Sequence, residues 1–276
     1  MENTWTKVRA VYFSPTGTTK KIVTTVAGCI SMELKLPKET YDFTPPAVRK
    51  EGVTFGADEI VVFGIPTYAG RIPNVLLKYL ATVKADGALA VPVALYGNRN
   101  FDDSLIELRN LLEANGFHTV AGAAFIGEHS FSKILGKDRP DVKDMMIAGK
   151  FGKEAAEKIR GITDVSALLP VEVKGETPIR TYYQPRDRKG NPIDIRKVLP
   201  KTKANCINCG ICADVCPMGS ISRDNVAEFT GICIKCGACI KQCPVEAKYY
   251  DDEGYLYHKT ELELGYERRA EPETFL

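Results

Sequence analysis

The stretch CINCGICADVCP at residues 206–217 returns as CIKCGACIKQCP at residues 233–244. Both copies follow the pattern C-x2-C-x2-C-x3-C-P, and their first cysteines stand twenty-seven positions apart. Each iron of a cubane cluster takes one soft thiolate, and two residues between successive cysteines let a tight loop reach three corners of the cube. The pattern therefore predicts iron–sulfur clusters held by eight of the nine cysteines: Cys206, Cys209, Cys212, Cys216, Cys233, Cys236, Cys239 and Cys243.

Zinc binding and a disulfide framework are the two competing uses of these cysteines. Structural zinc takes its ligands as two pairs, whereas each copy here is a triplet followed by a fourth cysteine. A disulfide framework is typical of secreted chains, and we find no export signal. Gly210 and Gly237 suit a backbone that passes close to inorganic sulfide, and Pro217 and Pro244 turn the chain away after the fourth cysteine.

The repeated stretch closely resembles the bacterial two-cluster ferredoxins, with no ligand position missing. In that family three close cysteines hold one cluster and the fourth cysteine of the run binds the other cluster. The resemblance implies two 4Fe-4S clusters in a small α+β ferredoxin-like domain. One ligand set would be Cys206, Cys209, Cys212 and Cys243, and the other would be Cys233, Cys236, Cys239 and Cys216.

Length and composition set the remaining bounds. The chain has 276 residues, enough for two domains, and 44% of them are hydrophobic. A net charge of +2 gives no general attraction to nucleic acid or membrane. No apolar run near the N-terminus resembles a signal peptide, and none elsewhere approaches membrane-spanning length. We therefore expect a cytoplasmic protein, in which the ninth cysteine, Cys29, is a small buried hydrophobe.

The first 160 residues alternate between strand and helix patterns, which favours a parallel sheet covered by helices on both faces. Continuous apolar runs at 58–65 and 88–96 are typical of central strands buried on both faces. The patterns predict strands at 5–13, 32–44, 58–65, 88–96 and 119–127, and helices at 22–30, 74–80, 104–115 and 141–160.

A turn rich in hydroxyls follows the first strand and precedes the first helix. Free amides and the helix dipole make this order suitable for an anion. Neither the GK[ST] motif of triphosphate sites nor G-x-G-x-x-G is present. The turn resembles the flavodoxin phosphate loop, [Ser/Thr]-x-Thr-Gly-x-Thr, which holds the FMN phosphate on neutral donors; an ordinary N-capping turn is the alternative. The matching residues are Ser14, Thr16, Gly17, Thr18 and Thr19.

The flavodoxin resemblance implies an α/β, doubly wound, five-stranded parallel sheet in the order 2-1-3-4-5, with FMN at the carboxyl ends of the strands. Unusual loops follow strands one, three and four, as this fold requires. The implied roles are flavin stacking for Tyr68, backbone approach near N5 for Gly70, and covering of the second face for Phe101. The other implied flavin contacts are Pro66, Thr67, Gly97, Asn98 and Arg99.

Three histidines have different expectations. His129 follows the fifth strand on the cofactor side, so it is the candidate catalytic proton donor to substrate or flavin; the alternative is that it hydrogen-bonds a loop. His118 and His258 show no partner in the sequence and are expected at the surface.

Residues 163–200 contain regularly spaced prolines and many basic residues. This segment is long for an unstructured connection, so it should pack on one domain or both. Its charge fits a solvated linker, contact with the acidic tail, or binding of a negatively charged redox partner. The expected domains are 1–162 (flavodoxin-like), 163–200 (linker), 201–252 (ferredoxin-like) and 253–276 (C-terminal extension).

The pairing of motifs is similar to the flavodoxin–ferredoxin fusion flavoproteins of anaerobic bacteria and archaea. This resemblance implies an FMN and iron–sulfur oxidoreductase that exchanges electrons with a ferredoxin-type partner protein and reduces a small-molecule acceptor at the flavin. The alternative is a pure electron-transfer protein that relays electrons between protein partners. Open space beside Tyr68, Phe101 and His129 would favour catalysis, and a covered flavin would favour relay.

Overall fold

The computed structural model describes residues 5–276. Residues 1–4, part of the expected first domain and of the segment considered as an export signal, lie outside the described residues. The strands are β1 (Lys7–Tyr12), β2 (Lys38–Asp42), β3 (Val53–Phe55), β4 (Glu59–Pro66), β5 (Val83–Ala85), β6 (Leu89–Tyr96), β7 (His118–Thr119), β8 (Gly122–Ile126), β9 (Lys201–Thr202), β10 (Lys248–Tyr249) and β11 (Glu273–Phe275). The α-helices are α1 (Thr18–Leu34), α2 (Leu77–Leu80), α3 (Ser104–Ala114), α4 (Val142–Arg160), α5 (Ile211–Asp214), α6 (Ala238–Lys241) and α7 (Glu253–Gly265).

The main sheet has the order β2-β1-β4-β6-β8, and these five strands are parallel. In chain order this is the expected 2-1-3-4-5 arrangement, so the predicted α/β fold class is confirmed. Strands β4 and β6 lie in the middle and are almost wholly buried, as their apolar runs predicted. The second predicted strand began too early, because residues 32–34 continue α1.

Alternate residues of the central strands face two separate cores. Ile60 and Val62 face the core beneath α1 and α4, whereas Val61 and Phe63 face the core beneath α3. Gly152 lets α4 approach α1 closely, since a Cβ there would meet Cys29 and Val26. Cys29 is half-buried at this contact, where its small side chain fits.

The C-terminal extension adds one strand to the main sheet. Strand β11 pairs antiparallel with β8, with Glu273 opposite Ala124 and Phe275 opposite Gly122. The extension therefore covers the outer edge of the N-terminal sheet. The antiparallel pairing itself was not predicted.

Residues 163–200 follow the surface of the N-terminal domain. The Val171 amide donates to the Thr119 carbonyl, and the Tyr183 amide donates to the Ala69 carbonyl. Basic residues of this region form ion pairs with the tail, among them Lys174 with Glu273 and Arg188 with Glu261. Of the three readings of the segment's charge, contact with the acidic tail is the one these ion pairs support.

The cysteine-rich region is built from two similar halves. Each contributes a one-turn helix, α5 or α6, that begins after a glycine, and the short strands β9 and β10 pair antiparallel beside them. Left-handed backbone recurs at positions twenty-seven apart, in the pairs Asn208 and Lys235, Gly210 and Gly237, and Gly219 and Glu246. The sequence repeat is therefore also a repeat of backbone conformation.

Within residues 5–276, no helix is both long enough and apolar enough to cross a membrane.

Candidate cofactor sites

The turn between β1 and α1 has the conformation of an anion site. Gly17 is the N-cap of α1 with φ of 85°, and a Cβ there would meet no atom within 4 Å. As a glycine, Gly17 provides no side-chain cap for the first amides of the helix, which lie next to the hydroxyls of Thr16 and Thr18. Ser14 caps the first turn of α1, because its Oγ accepts from the Lys20 amide at 2.9 Å. The turn fits a phosphate bound by neutral donors.

A narrow cavity of about 60 Å³ begins at this turn and reaches the cysteine-rich region. It is lined by residues from the ends of β1, β4, β6 and β8, which is where parallel sheets place ligands. Of the expected contacts it contains Thr16, Thr18, Thr19, Pro66, Thr67, Tyr68, Gly97 and His129, and its far wall includes Cys236. A wider cavity of about 510 Å³ shares Thr67, Tyr68, His129 and Ser130 with the first.

The wider cavity lies where four parts of the chain meet. Tyr68 and Arg99 come from the N-terminal domain, Tyr183 from the segment 163–200, and His258 from α7. Residues 232–235, which include Cys233, complete the wall. The Arg99 guanidinium lies over the Tyr183 ring at 4.6 Å and bonds Asp102. Cysteines of the second copy therefore border the same space as the flavin loops.

Asn98 lies too deep to contact a flavin. Its side chain is 3% exposed and bonds the C-terminal extension with every polar atom. Nδ2 donates to the carbonyls of Tyr266 and Arg268 at 2.8 and 2.7 Å, and Oδ1 accepts from the Ala270 amide at 3.1 Å. The side-chain amide thus holds the extension, and Asn98 lines neither cavity.

Phe101 and Gly70 also lie away from the cavities. Phe101 is 1% exposed and packs against Tyr96 at 5.5 Å between ring centroids, inside the core beneath β11. The Gly70 carbonyl accepts from the Asp103 amide, and a Cβ at Gly70 would collide with Asp102. Phe101 therefore lines neither cavity, and Ala69, not Gly70, reaches the wider cavity.

His129 lines both cavities in its neutral form. Burial, assisted by the positive charge of Lys241, lowers the pKa of His129 to about 3. Nδ1 accepts from the Phe131 amide at 3.1 Å, so the ring hydrogen is on Nε2. At neutral pH the ring can donate a hydrogen bond, but it is not the protonated imidazolium and so has no acidic proton to release. The hydrogen bond to its own loop agrees with the second of the two earlier readings, and the ring also borders both cavities.

The second cysteine set lines a single cavity. Cys216, Cys233, Cys236 and Cys239 border it together with apolar residues such as Ile221 and Phe229. The crossing cysteine of the first copy therefore lies with the triplet of the second, as the ferredoxin resemblance implied. Burial raises the pKa of the Cys236 thiol to about 12.

The first set lies nearer the surface. Cys209 is exposed and its neighbour Ile207 is 61% exposed. The Ala247 amide donates to Cys243 Sγ at 3.2 Å, and the Asn208 amide donates to Cys206 Sγ at 3.4 Å. Among the described residues, no group of three or more His, Cys, Asp or Glu could hold a single metal ion. A cubane distributes its thiolates over four irons and so needs a wider arrangement.

Lys241 joins the two domains at the cofactor side. Its ammonium donates to Glu128 and to the carbonyls of His129 and Ser132, the latter two at 2.7 and 3.2 Å. Gln242 donates to the Pro15 carbonyl at 3.2 Å, beside the phosphate turn. The second cysteine copy is thereby held against the flavodoxin-like domain.

Sequence reasoning missed Lys241 and misplaced His258. His258 is 6% exposed, against the expectation of a surface residue. For Lys241 the sequence contained a signal. The residue at the same position of the first copy is Asp214, so the two copies differ in charge at a position where only the second copy contacts the neighbouring domain. For His258 no signal existed, because its partners Tyr183 and Phe131 are distant in sequence.

A family model described as a 4Fe-4S dicluster domain matches residues 205–247. No curated protein sequence matches the chain. A flavodoxin from the domain Archaea is 16% identical, with a TM-score of 0.40 over 56% of this chain and 99% of its own. Flavodoxin 2 from Bacillus cereus is 15% identical, with a TM-score of 0.41 over 55% and 99%.

A mutant flavodoxin from Fusobacterium nucleatum, solved with flavin mononucleotide, is 17% identical, with a TM-score of 0.38 over 56% of this chain and 96% of its own. These scores are low, so the strand order of the sheet carries the fold assignment. The dicluster match covers the second part. The chain thus joins a flavodoxin-like α/β domain to a ferredoxin-type 4Fe-4S domain.

Proposed function

We propose that this protein is an FMN- and 4Fe-4S-dependent oxidoreductase. It would take electrons from a low-potential one-electron carrier protein through two clusters to FMN, where a small acceptor is reduced. A cluster passes single electrons and a flavin accepts one or two, so the pair links one-electron donors to a two-electron reaction. The observation that carries the proposal is the shared cavity wall, in which Cys233 and Cys236 lie beside the flavin loops.

The FMN phosphate would bind at the turn before α1. The amides after Gly17 and the hydroxyls of Thr16, Thr18 and Thr19 supply neutral donors, and the helix dipole favours the negative charge. The one carboxylate in the narrow cavity, Glu128, is paired with Lys241 and so adds little repulsion. Thr67 and Tyr68 then continue the wall towards the wider cavity, where the flavin ring would lie.

The clusters would use the two crossed ligand sets. The set of Cys216 with Cys233, Cys236 and Cys239 borders the flavin cavity and is called the inner cluster site. The set of Cys206, Cys209, Cys212 and Cys243 is called the outer cluster site. The exposed loop with Ile207 and Cys209 gives a partner protein access to the outer site, so electrons would enter there and leave through the inner site.

An acceptor would bind in the part of the wider cavity that the flavin ring leaves free. The whole cavity, at about 510 Å³, is within the range usual for small-molecule sites, roughly 300–1,000 Å³. Arg99, which is paired with Asp102, and neutral His129 offer hydrogen-bond donors, the latter at Nε2. Aromatic rings of Tyr68, Tyr182 and Tyr183 supply flat apolar walls. This combination suits a small planar acceptor with a polar group.

Electron relay without a substrate is the alternative function. It is favoured by the cover over the wider cavity, because Tyr183 and Pro185 of the segment 163–200 and His258 of α7 all lie on its wall. If the flavin ring fills this covered space, electrons would leave only through the clusters. The two functions differ in whether a small acceptor can oxidise the reduced protein.

The proposal is tested on anaerobically purified protein with iron and flavin assays. After reduction by a low-potential donor, a panel of small acceptors is mixed in and flavin and cluster absorbance are followed separately. Oxidation by one acceptor class at a saturable rate supports catalysis. Oxidation only by carrier proteins supports relay, and protein with iron but no affinity for FMN would refute both.

The flavin site has its own matched test. Thr16→Ala combined with Gly17→Ala should remove bound FMN, because it deletes a hydroxyl and adds a Cβ at φ of 85°. Thr24→Ala combined with Thr25→Ala is the control, since those hydroxyls bond carbonyls of their own helix. Iron content should stay unchanged in both. Equal flavin loss in the control would contradict the assignment.

A further inference from the structure

The two halves of the cysteine repeat share one backbone but surround their sulfurs differently. The amides of Ser220 and Ala247, twenty-seven positions apart, donate to Cys216 Sγ and Cys243 Sγ at 3.4 and 3.2 Å. With the same spacing of left-handed residues in both halves, this scaffold treats the two cluster sites alike. Differences between the sites must therefore come from side chains.

The first difference is at the second of the two residues that separate the first two cysteines of each copy. The outer site has Asn208, which is exposed, and the inner site has Lys235, which is 8% exposed. The Lys235 ammonium donates to the Cys233 carbonyl at 3.1 Å and to the Arg196 carbonyl at 2.6 Å. Lys235 is thus held next to the inner-site ligand Cys233, whereas the charge of the other buried lysine of this region, Lys248, acts on cysteines of both sets: Cys212 and Cys243 of the outer set and Cys239 of the inner set.

The second difference is a hydroxyl near a ligand sulfur. Tyr250 Oη lies 3.7 Å from Cys233 Sγ, and the ring is fixed against Tyr255 at 4.0 Å between centroids. Once Cys233 is an iron-bound thiolate, the hydroxyl is the only possible donor of this pair. The corresponding residue of the first copy is Arg223, which is exposed and bonds Asp214 instead.

Both features act on the charge of the inner cluster. Reduction adds one negative charge to a cluster, and a hydrogen bond to sulfur or a nearby cation stabilises that charge. Burial acts in the opposite direction, because a low dielectric disfavours the more highly charged state. The outer site includes the exposed Cys209, whereas no cysteine of the inner site is exposed, so without compensation the inner cluster would be the harder one to reduce.

We propose that Tyr250 and Lys235 raise the reduction potential of the inner cluster and so keep it able to accept electrons from the outer one. The step is a one-electron transfer from the outer reduced cluster to the inner oxidised cluster, with no other reactant. This inference rests on the proposed function for its direction, but the tuning itself depends only on the cluster sites.

The test is a redox titration of the intact protein, followed by electron paramagnetic resonance of the reduced clusters. Tyr250→Phe should lower the potential of one cluster so that its equilibrium with the other changes about tenfold, which is 59 mV for one electron. Tyr249→Phe is the control, because that ring lies under Lys203 and its hydroxyl is not bonded to a cysteine. Its two potentials should match those of the unmodified protein.

A second variant keeps the test decisive if Tyr250→Phe loses its cluster. Lys235→Asn installs the residue of the outer copy, and asparagine tolerates the φ of 56° at this position. It should lower the same potential as Tyr250→Phe, whereas Asn208→Lys should raise the other. Unchanged potentials in clusters that remain intact, or a shift of the outer cluster with Tyr250→Phe, would overturn the inference. Absence of flavin would refute the proposed function and leave this readout intact.

Discussion

Gly210 and Gly237 have nearly the same backbone, with φ of 78° and 75°, but different surroundings. A Cβ at Gly210 would touch only the flexible end of Arg223, whereas a Cβ at Gly237 would collide with the backbone carbonyl of Ser130. One glycine therefore serves its local turn, and the other also serves the contact between domains. The difference is invisible in the sequence, where both follow a cysteine in the same motif.

We expect Gly237→Ala to separate the domains and Gly210→Ala to leave them together. Both variants carry about 1–2 kcal/mol of left-handed strain, so the difference between them isolates the collision with Ser130. Electron transfer from clusters to flavin, measured by stopped-flow absorbance, should slow only in Gly237→Ala. Equal rates in the two variants would contradict the importance of this contact.

Motif matching located loops but not side-chain directions. The hydroxyl-rich turn was found because its chemistry is local, since amides and hydroxyls of consecutive residues define it. Asn98 and Phe101 were assigned to a flavin because their loop is in the right place. Asn98 bonds Tyr266 and Arg268, which are more than 150 residues away, and Phe101 packs in the core beneath β11. No local sequence pattern encodes either contact.

Asn98→Ala therefore tests the corrected role. Loss of three hydrogen bonds should weaken attachment of the extension by about 1–3 kcal/mol, and trypsin should cleave faster near Arg268 and Arg269. Flavin affinity, measured by fluorescence quenching, should stay close to that of the unmodified protein. A large fall in affinity with unchanged proteolysis would restore the original flavin assignment.

At the scale of elements, a buried carboxylate holds the segment 163–200 to the N-terminal domain. Asp103 accepts from the amides of Glu176 and Arg180 at 3.0 and 2.8 Å and forms an ion pair with the Arg180 guanidinium. The Arg180 bond lowers the pKa of Asp103 to about 2, below its ordinary 3.8. The stabilisation is thus complete above about pH 4 and is lost as the pH falls through 2.

Asp103→Asn should loosen this segment at neutral pH. The amide cannot form the ion pair and replaces an acceptor oxygen by a donor, so limited proteolysis within 163–200 should become about tenfold faster, which corresponds to about 1.4 kcal/mol. Asp194→Asn is the matched control, because the partner of Asp194 is Arg196 in the same exposed segment. Faster cleavage in the control alone would contradict the assignment.

Sheet order and segment contacts differ in how far the sequence predicts them. A parallel sheet is predicted by the buried apolar runs of β4 and β6 and by the helical patterns between the strands. These patterns can be read because the periodicity of apolar residues is contained within each stretch of sequence. The pairing of Arg188 with Glu261 and the contact of Tyr183 with Arg99 depend on where a proline-rich segment travels. Its direction is decided by tertiary packing.

For the whole molecule, the contact between domains is what brings two kinds of cofactor site together. Lys241 and Gln242 reach Glu128 and Pro15, and Arg49 donates to the Pro217 carbonyl from the opposite direction. The two domains were predicted from their motifs. Their relative placement was not, since each motif is satisfied within its own domain.

Crossed cysteine ligation is testable at this scale. Cys243→Ser should disturb the outer cluster, although Cys243 follows the inner-site triplet Cys233, Cys236 and Cys239 in the sequence. Cys216→Ser should disturb the inner cluster. Electron paramagnetic resonance distinguishes the two signals, and flavin reduction should fail to a greater extent in Cys216→Ser because the inner site borders the cavity. The reverse pattern would contradict the crossed sets.

Strand β11 has a consequence for biosynthesis. The outer edge of the N-terminal sheet stays open until residues 273–275 have left the ribosome, after both cysteine copies have been translated. The edge of β8 is then exposed while the long middle of the chain is made, although unpaired edges favour association with other chains. The edge strand of the first domain thus acquires its antiparallel partner only after the second domain has been translated.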